Sequence, residues 1–264
     1  MTLSFCSFSS GSSGNCYLVK SERTAILVDA GISGKRIIAG LSKTKTPVEQ
    51  LTAILITHEH VDHVSGVSVA LNKFKDITIH SNRKTFSKMD LKSQRERTRI
   101  FQNGDSFTIG DLDIETFSLN HDAVDTVGYN IRHENKQISI VTDTGVLDEK
   151  IMSKLTDSDI LVIEANHDEQ MLRSGSYPPY LKRRILGNEG HLSNDKTGHY
   201  IADIMEKKEK ARCVLLAHLS RDNNDPETAE QTVINILEEN NWENGRDVYV
   251  KSIKRDEISM IYEI

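Results

Sequence analysis

Five short segments of the chain are almost wholly apolar, and each ends on a residue able to bind a metal or carry a proton. They are 25–29 (AILVD), 53–58 (AILITH), 138–143 (ISIVTD), 160–164 (ILVIE) and 214–218 (VLLAH). Continuous runs of this kind, rich in Ile and Val, predict strands buried on both faces, and such strands need helices packed against them. A layered α/β protein follows. Its polar strand ends would gather along the C-terminal edges of the sheets, where α/β folds place a ligand site.

Helical spacing appears between these runs. Val64, Val67, Leu71 and Phe74 fall on one face of a helix, as do Ile201, Ile204 and Met205 within 194–208, a stretch with Ser193 or Asn194 as N-cap. Asp225-Pro226 predicts another helix start, with Ala229, Val233, Ile236 and Leu237 facing inward. The alternating or turn-rich segments 107–117 and 128–141 predict antiparallel strands, which makes the sheet system mixed. No linker or repeat divides the sequence, and one domain over 1–264 is expected.

Composition narrows the function. Hydrophobic residues make up 37% of 264, enough for a sizeable core, and the net charge of −6 excludes a protein that coats nucleic acid through bulk charge. Binding at a local basic site stays open, and two basic runs, 92–99 and Lys182-Arg183-Arg184, stand out in this acidic chain. No uncharged apolar run is long enough to span a membrane, and the N-terminus lacks the pattern of an export signal, so a soluble, cytoplasmic protein is expected. The three cysteines, Cys6, Cys16 and Cys213, show no CxxC spacing and read as small buried residues.

Histidine is the informative class. Thr57-His58-Glu59-His60-Val61-Asp62-His63 lies between an apolar strand and an amphipathic helix and packs four potential ligands into six residues. His58 and His60, two apart in an extended turn, point the same way and suit one cation; Asp62 and His63 would face a second. Crowding such groups without a metal would leave desolvated polar atoms unpaired.

The segment resembles, without departure, the HxHxDH signature of the metallo-β-lactamase-fold superfamily. The resemblance continues in order through Asp29, His121 in SLNH, Asp143 in TDTG and His218 in LAHLS. It implies the metallo-β-lactamase fold, a four-layer αββα sandwich with two mixed β-sheets. It also implies two divalent metal ions: one on His58, His60 and His121, the other on Asp62, His63 and His218, with Asp143 bridging and Asp29 bracing the histidine loop. Ligands of this kind suit zinc, manganese or iron alike. Two such ions about 3.5–4 Å apart can hold a hydroxide between them and neutralise a phosphoryl oxygen.

Glu164-Ala-Asn-His167, Gly190-His191-Leu-Ser-Asn194 and His218-Leu-Ser-Arg221 resemble the phosphodiesterase and nuclease branch, which includes tRNase Z and the carbon-phosphorus-lyase phosphodiesterase. That resemblance puts His191 beside the metals without ligating them, oriented by Glu164. Together with the N-terminal SSGSSGNC at 9–16, these motifs are similar at nearly full length to the bacterial YycJ/WalJ family, associated with 5′-to-3′ exonuclease activity on DNA and with mismatch repair. The implied catalytic groups are Asp62, Asp143, His191 and Glu164. The expected partner is DNA, a duplex with a free 5′ end, with mismatch-repair proteins and a second copy of the chain as further candidates.

Phosphate or DNA contact is expected from Ser12, Ser13 and Asn15, whose small-residue loop would let backbone amides approach a phosphate, and from Ser193, Asn194, Lys182, Arg183 and Arg184. Alternatives are a phosphodiesterase for small or cyclic nucleotides and a glyoxalase-type thioesterase; the His191 motif disfavours the latter. Asp62 and Asp143 disfavour a β-lactamase, and the full ligand set disfavours a non-enzymatic module. His80, His133, His167 and His199 match no ligand position, and Trp242 reads as core.

Overall fold

The computed structural model describes residues 2–89, 91–210 and 212–264, with the side chains of Lys92, Ser93 and Gln94 outside the description. Two seven-stranded sheets form its centre. The first comprises β1 (Ser4–Ser9), β2 (Cys16–Lys20), β3 (Ala25–Val28), β4 (Leu51–Leu55), β5 (Thr78–Asn82), β6 (Thr98–Phe101) and, beside β1, β14 (Tyr262–Glu263). The second runs β7 (Ser106–Ile109), β8 (Leu112–Ser118), β9 (Val127–His133), β10 (Lys136–Val141), β11 (Ile160–Glu164), β12 (Arg212–Ala217) and β13 (Val248–Ser252). Both are mixed. β3 to β6 and β10 to β13 are parallel, while the remaining pairs are antiparallel, including β7–β8 and β9–β10 in the segments where the sequence predicts antiparallel strands.

The apolar runs are continuous because each strand feeds two cores. In β11, Ile160 and Val162 join Ile26, Val28 and Leu55 of the first sheet in the layer between the sheets, whereas Leu161 and Ile163 face outward. The outer face of the second sheet is covered by α5 (Glu149–Leu155), α8 (Asn194–Lys207) and α9 (Pro226–Glu239), and that of the first by α1 (Gly34–Lys43) and α3 (Val67–Lys73). Four layers result, in the order helix, sheet, sheet, helix. Shorter helices α2 (Val61–Val64), α4 (Arg83–Lys88), α6 (Glu169–Ser174) and α7 (Pro179–Leu186) sit in the connections.

Ser193 caps α8 and Asp225 caps α9, each accepting a backbone N–H of the first turn, as the sequence leads one to expect. The 64–74 stretch departs from its expected single helix: it breaks between α2 and α3 at Ser65-Gly66. There the Gly66 backbone is pressed onto the 30–32 segment, where a β-carbon would stand 2.0 Å from the Ile32 carbonyl oxygen, so the chain turns to keep that contact. Among the described residues no helix is long and apolar enough to cross a membrane. Cys6 and Cys16 are buried, Cys213 is half-buried and all three are free thiols.

Candidate metal centre

The C-terminal ends of strands from both sheets meet at one place. Asp29, Asp143 and His218, which follow β3, β10 and β12, all adopt left-handed backbone with φ of 60°, 62° and 56°. Non-glycine residues rarely occupy this region, and it clusters where a surrounding structure over-determines a functional side chain.

Two groups of potential ligand atoms assemble there, each within 4.8 Å of one another: His58 with His60 and His121, and Asp62 with His63 and His218. Asp143 lies among them, its Oδ2 3.4 Å from His63 Nε2 and its Oδ1 3.4 Å from His218 Nδ1 and 3.9 Å from His121 Nε2. The buried His58 Nε2, His218 Nε2 and Asp143 Oδ2 have no hydrogen-bond partner. Buried polar atoms are almost always paired, so these three orphans, aimed into a nitrogen and oxygen donor set, fit divalent metal ions.

Supporting residues fix which nitrogen of each ring faces inward. Asp29 Oδ2 takes the His63 Nδ1–H at 2.7 Å, while Thr57 donates its N–H to Asp29 Oδ1 and its hydroxyl to Asp29 Oδ2, both at 2.9 Å. The Thr57 hydroxyl has then used its proton and accepts from His58 Nδ1 at 3.0 Å. His121 Nδ1 faces the carbonyls of Glu189 and Gly190 at 3.1 and 3.2 Å. Each acceptor demands a proton on Nδ1 and leaves Nε2 as a lone pair toward the centre.

Glu164, wholly buried, is the hub of the second sheet's contribution. Its Oε1 accepts from His218 Nδ1 at 2.7 Å and His191 Nδ1 at 2.8 Å, and its Oε2 from the backbone N–H groups of Thr144 and Leu192 at 3.1 and 3.3 Å. With both oxygens occupied it is an orienting acceptor, although it also falls in a candidate ligand group with Asp143, His191 and His218.

The two halves differ electrically. Burial drives His58 well below its ordinary pKa, with the nearby imidazoles adding to the effect, and burial lowers His121 too. Burial also opposes protonation of His218, but Asp143, Asp62 and Glu164 override it and pull the ring up to about 10; Asp143 and Asp29 raise His63 likewise. Burial would raise Asp62, yet the His218 and His63 rings beside it hold it far below the carboxylate range. The carboxylate-rich half thus calls for positive charge, whereas in the three-histidine half His58 and His121 favour the neutral ring.

The expected contact residues lie in varied surroundings. Ser12 and Ser13 are exposed at the loop tip, near Arg255 and Asp256 respectively. Asn15, by contrast, is buried: its Oδ1 accepts from Gly11 N–H and Tyr17 Oη, and its Nδ2 faces His63 Nε2 at 3.0 Å and Asp62 Oδ2 at 3.3 Å. Ser193 is spent on capping α8, and Asn194 is buried in a reciprocal pair with Asn224. These three, expected from sequence to contact phosphate or DNA, are buried and engaged in contacts within the protein.

In the 182–184 run, Lys182 donates to the carbonyls of Arg173 and Gly175 at the end of α6, and Arg184 pairs with Asp122, leaving Arg183 exposed at the rim. Of the 92–99 run, the side chains of Lys92, Ser93 and Gln94 lie outside the described residues. His80, His133, His167 and His199 fall in none of the ligand groups found among the described residues. Trp242 is partly buried against the outer core.

Four supporting residues had no role assigned from sequence. Thr57 is described above; Ser10 accepts the His218 N–H at 2.8 Å, Asn166 donates to the His218 carbonyl at 2.9 Å, and Glu59 holds Val124 N–H at 3.0 Å in the loop that carries His121. A hydroxyl ending an apolar strand was the one available signal, at Thr57.

Residues 24–218 match the beta-lactamase superfamily domain. The chain is 38% identical over 260 residues to exodeoxyribonuclease WalJ of Streptococcus pneumoniae serotype 2, covering 97% of this chain and 96% of that protein. It is 36% identical over 242 residues to exodeoxyribonuclease YycJ of Bacillus anthracis, covering 90% of each. Among solved structures, the metallo-beta-lactamase fold protein YhfI of Bacillus subtilis matches with a TM-score of 0.71 over 100% of this chain and 99% of that one, at 15% identity, a likeness of fold.

Proposed function

The chain belongs to the beta-lactamase superfamily as a metallo-β-lactamase-fold hydrolase, and from that premise we propose that it is a metal-dependent phosphodiesterase acting on DNA, as the names of the exodeoxyribonucleases it is similar to suggest, and that it degrades the strand from its 5′ end. The observation that carries the reading is the Glu164 carboxylate shared by His218 and His191. It ties a ligand-type histidine to a second, half-buried histidine whose ring lies beside His121 and His218.

His58, His60 and His121 would hold one divalent cation and Asp62, His63 and His218 another, with Asp143 between them. When bound, such ions neutralise charge on a phosphoryl oxygen and make water a nucleophile at neutral pH. The protein's own part is to hold those ligands rigidly and to supply a proton. In hydrolysis a P–O bond forms to water and the bond to the ribose 3′-oxygen breaks, leaving a 5′-phosphate on the next nucleotide. The departing alkoxide takes the proton from His191 Nε2, while Glu164 holds the ring through Nδ1. A place in mismatch repair belongs to the same proposal.

The test is incubation of the metal-loaded protein with DNA duplexes labelled at either end, beside bis-nitrophenyl phosphate. Stepwise loss from 5′ ends supports the reading. Turnover of small diesters alone, with DNA intact in zinc, manganese and iron, overturns the exonuclease assignment and leaves a small-molecule phosphodiesterase.

A further inference from the structure

On the first sheet's edge, lined by none of the metal-type ligands, α4 with Arg95, Thr98 and Ile100 encloses a cup of about 500 Å³. That volume lies within the ~300–1,000 Å³ typical of ligand sites. Phe86, Met89 and Ile100 form its apolar wall, Ile100 remaining 41% exposed on edge strand β6. Arg83 and Arg95 stand at its rim, both exposed, and neither has a carboxylate partner among the described residues. An aromatic and aliphatic wall beside two unpaired guanidinium groups suits a ligand with a flat apolar face and an anionic group next to it. A nucleotide has that chemistry: bases stack on aromatic rings, and guanidinium forks match phosphate oxygens.

The cup also hangs on the loop that carries His121. Asn82, the N-cap of α4, donates to the Asp125 carbonyl at 2.7 Å, Thr85 Oγ1 reaches the same carbonyl at 3.4 Å, and Lys84 pairs with the Asp125 carboxylate at 3.4 Å. Glu59, between His58 and His60, binds the adjoining Val124 N–H. The loop that carries His121 is thus tied on one side to the histidine turn and on the other to the start of α4.

We propose that the cup is a remote anchor for the substrate strand, seating one unpaired base against Phe86 with its phosphate between Arg83 and Arg95. This rests on the nucleic-acid reading of the centre. The anchor grips wherever a single strand passes, irrespective of sequence, because every base has a stacking face.

The experiment titrates the full-length, metal-loaded protein with fluorescent single-stranded DNA of increasing length, carrying phosphorothioate linkages against cleavage. Wild-type affinity should rise in a step once the strand is long enough to reach from centre to cup. Arg83→Ala with Arg95→Ala, two exposed changes, should remove that step, weakening long strands about tenfold and lowering the salt slope by about one phosphate contact. Phe86→Leu keeps the apolar bulk and should lose part of the step without altering the salt slope. Long-strand affinity and salt slope equal to wild type in the double-arginine variant overturn the anchor. So does a cup that serves a second copy, seen as a dimer which the arginine changes dissociate while DNA affinity holds. The centre is read separately on labelled duplexes: if wild type degrades no DNA while the arginine changes still remove the step, the exonuclease reading falls and the anchor stands.

Discussion

His191 and His80 show how position decides what an imidazole does. His191 donates its Nδ1–H to a buried carboxylate beside the centre, and the proposed function would have its other nitrogen supply a proton. With His191→Ala, metal content should stay at the wild-type level while turnover of natural DNA diesters falls about 10²–10⁴-fold. A nitrophenolate leaves without needing a proton, so bis-nitrophenyl phosphate should suffer far less, and equal losses on the two substrates would remove the general-acid role. His80 is the opposite case: stacked on Phe107 with ring centroids 5.2 Å apart, it is pushed down to about 4 by burial and by Arg99. Its folded value lies below the ordinary 6.5, so the fold favours the neutral ring. The stability this gives is present above pH about 6.5 and lost as pH falls toward 4, on the order of 2 kcal/mol. Urea titrations at pH 7 and pH 4.5 should show wild type losing more than His80→Gln. The same loss in both proteins would show that the ring contributes nothing to acid sensitivity.

At the scale of elements, the histidine-bearing turn and α2 are held by the segment just after β3. Ala30 N–H binds the His63 carbonyl, Asn15 N–H binds the Asp62 carbonyl and Gly31 N–H binds the Asn15 carbonyl. A β-carbon on Gly31 would stand 1.6 Å from the Asp62 carbonyl oxygen. Gly31→Ala should therefore push the turn outward, cost about 1–3 kcal/mol and lower metal content, read by denaturation and elemental analysis. Wild-type metal content in that variant would show the turn to be compliant. This clamp explains what could be read from sequence and what could not. The parallel strands were legible because Ile160 to Ile163 feed two cores at once, and the centre because four of its candidate ligands lie within six residues. The break at Gly66 was hidden because the contact that forces it comes from residues 30–32, far along the chain. In the sequence Glu164 reads as a partner of His191 alone, since its bond to His218 joins strands whose adjacency only the sheet order supplies. Asn15, Ser193 and Asn194 looked like loop residues open to a ligand because loop polarity carries no information about burial.

On the scale of the whole molecule, the candidate ligands are divided between the two sheets: His58, His60, Asp62 and His63 follow β4, while His121, Asp143 and His218 follow β8, β10 and β12. Two ions per chain are expected after reconstitution, His58→Ala impairing one half and His218→Ala the other; one ion or none in the wild type would remove the binuclear reading. A ligand present at a thousand times its dissociation constant stabilises a fold by about 4 kcal/mol, so chelation should lower the melting temperature by several degrees. The divided ligand set has a topological consequence as well. An ion shared by residue 58 and residue 121, or by residue 63 and residue 218, closes a long loop of chain, a constraint of the kind a disulfide imposes, in a protein whose cysteines are all unbonded. Withdrawing the ions would reopen those loops. Hydrogen exchange should then quicken at the strand ends around 56–66, 142–145 and 217–220 while the strand centres keep their protection, as in a book whose clasp is undone and whose spine still holds.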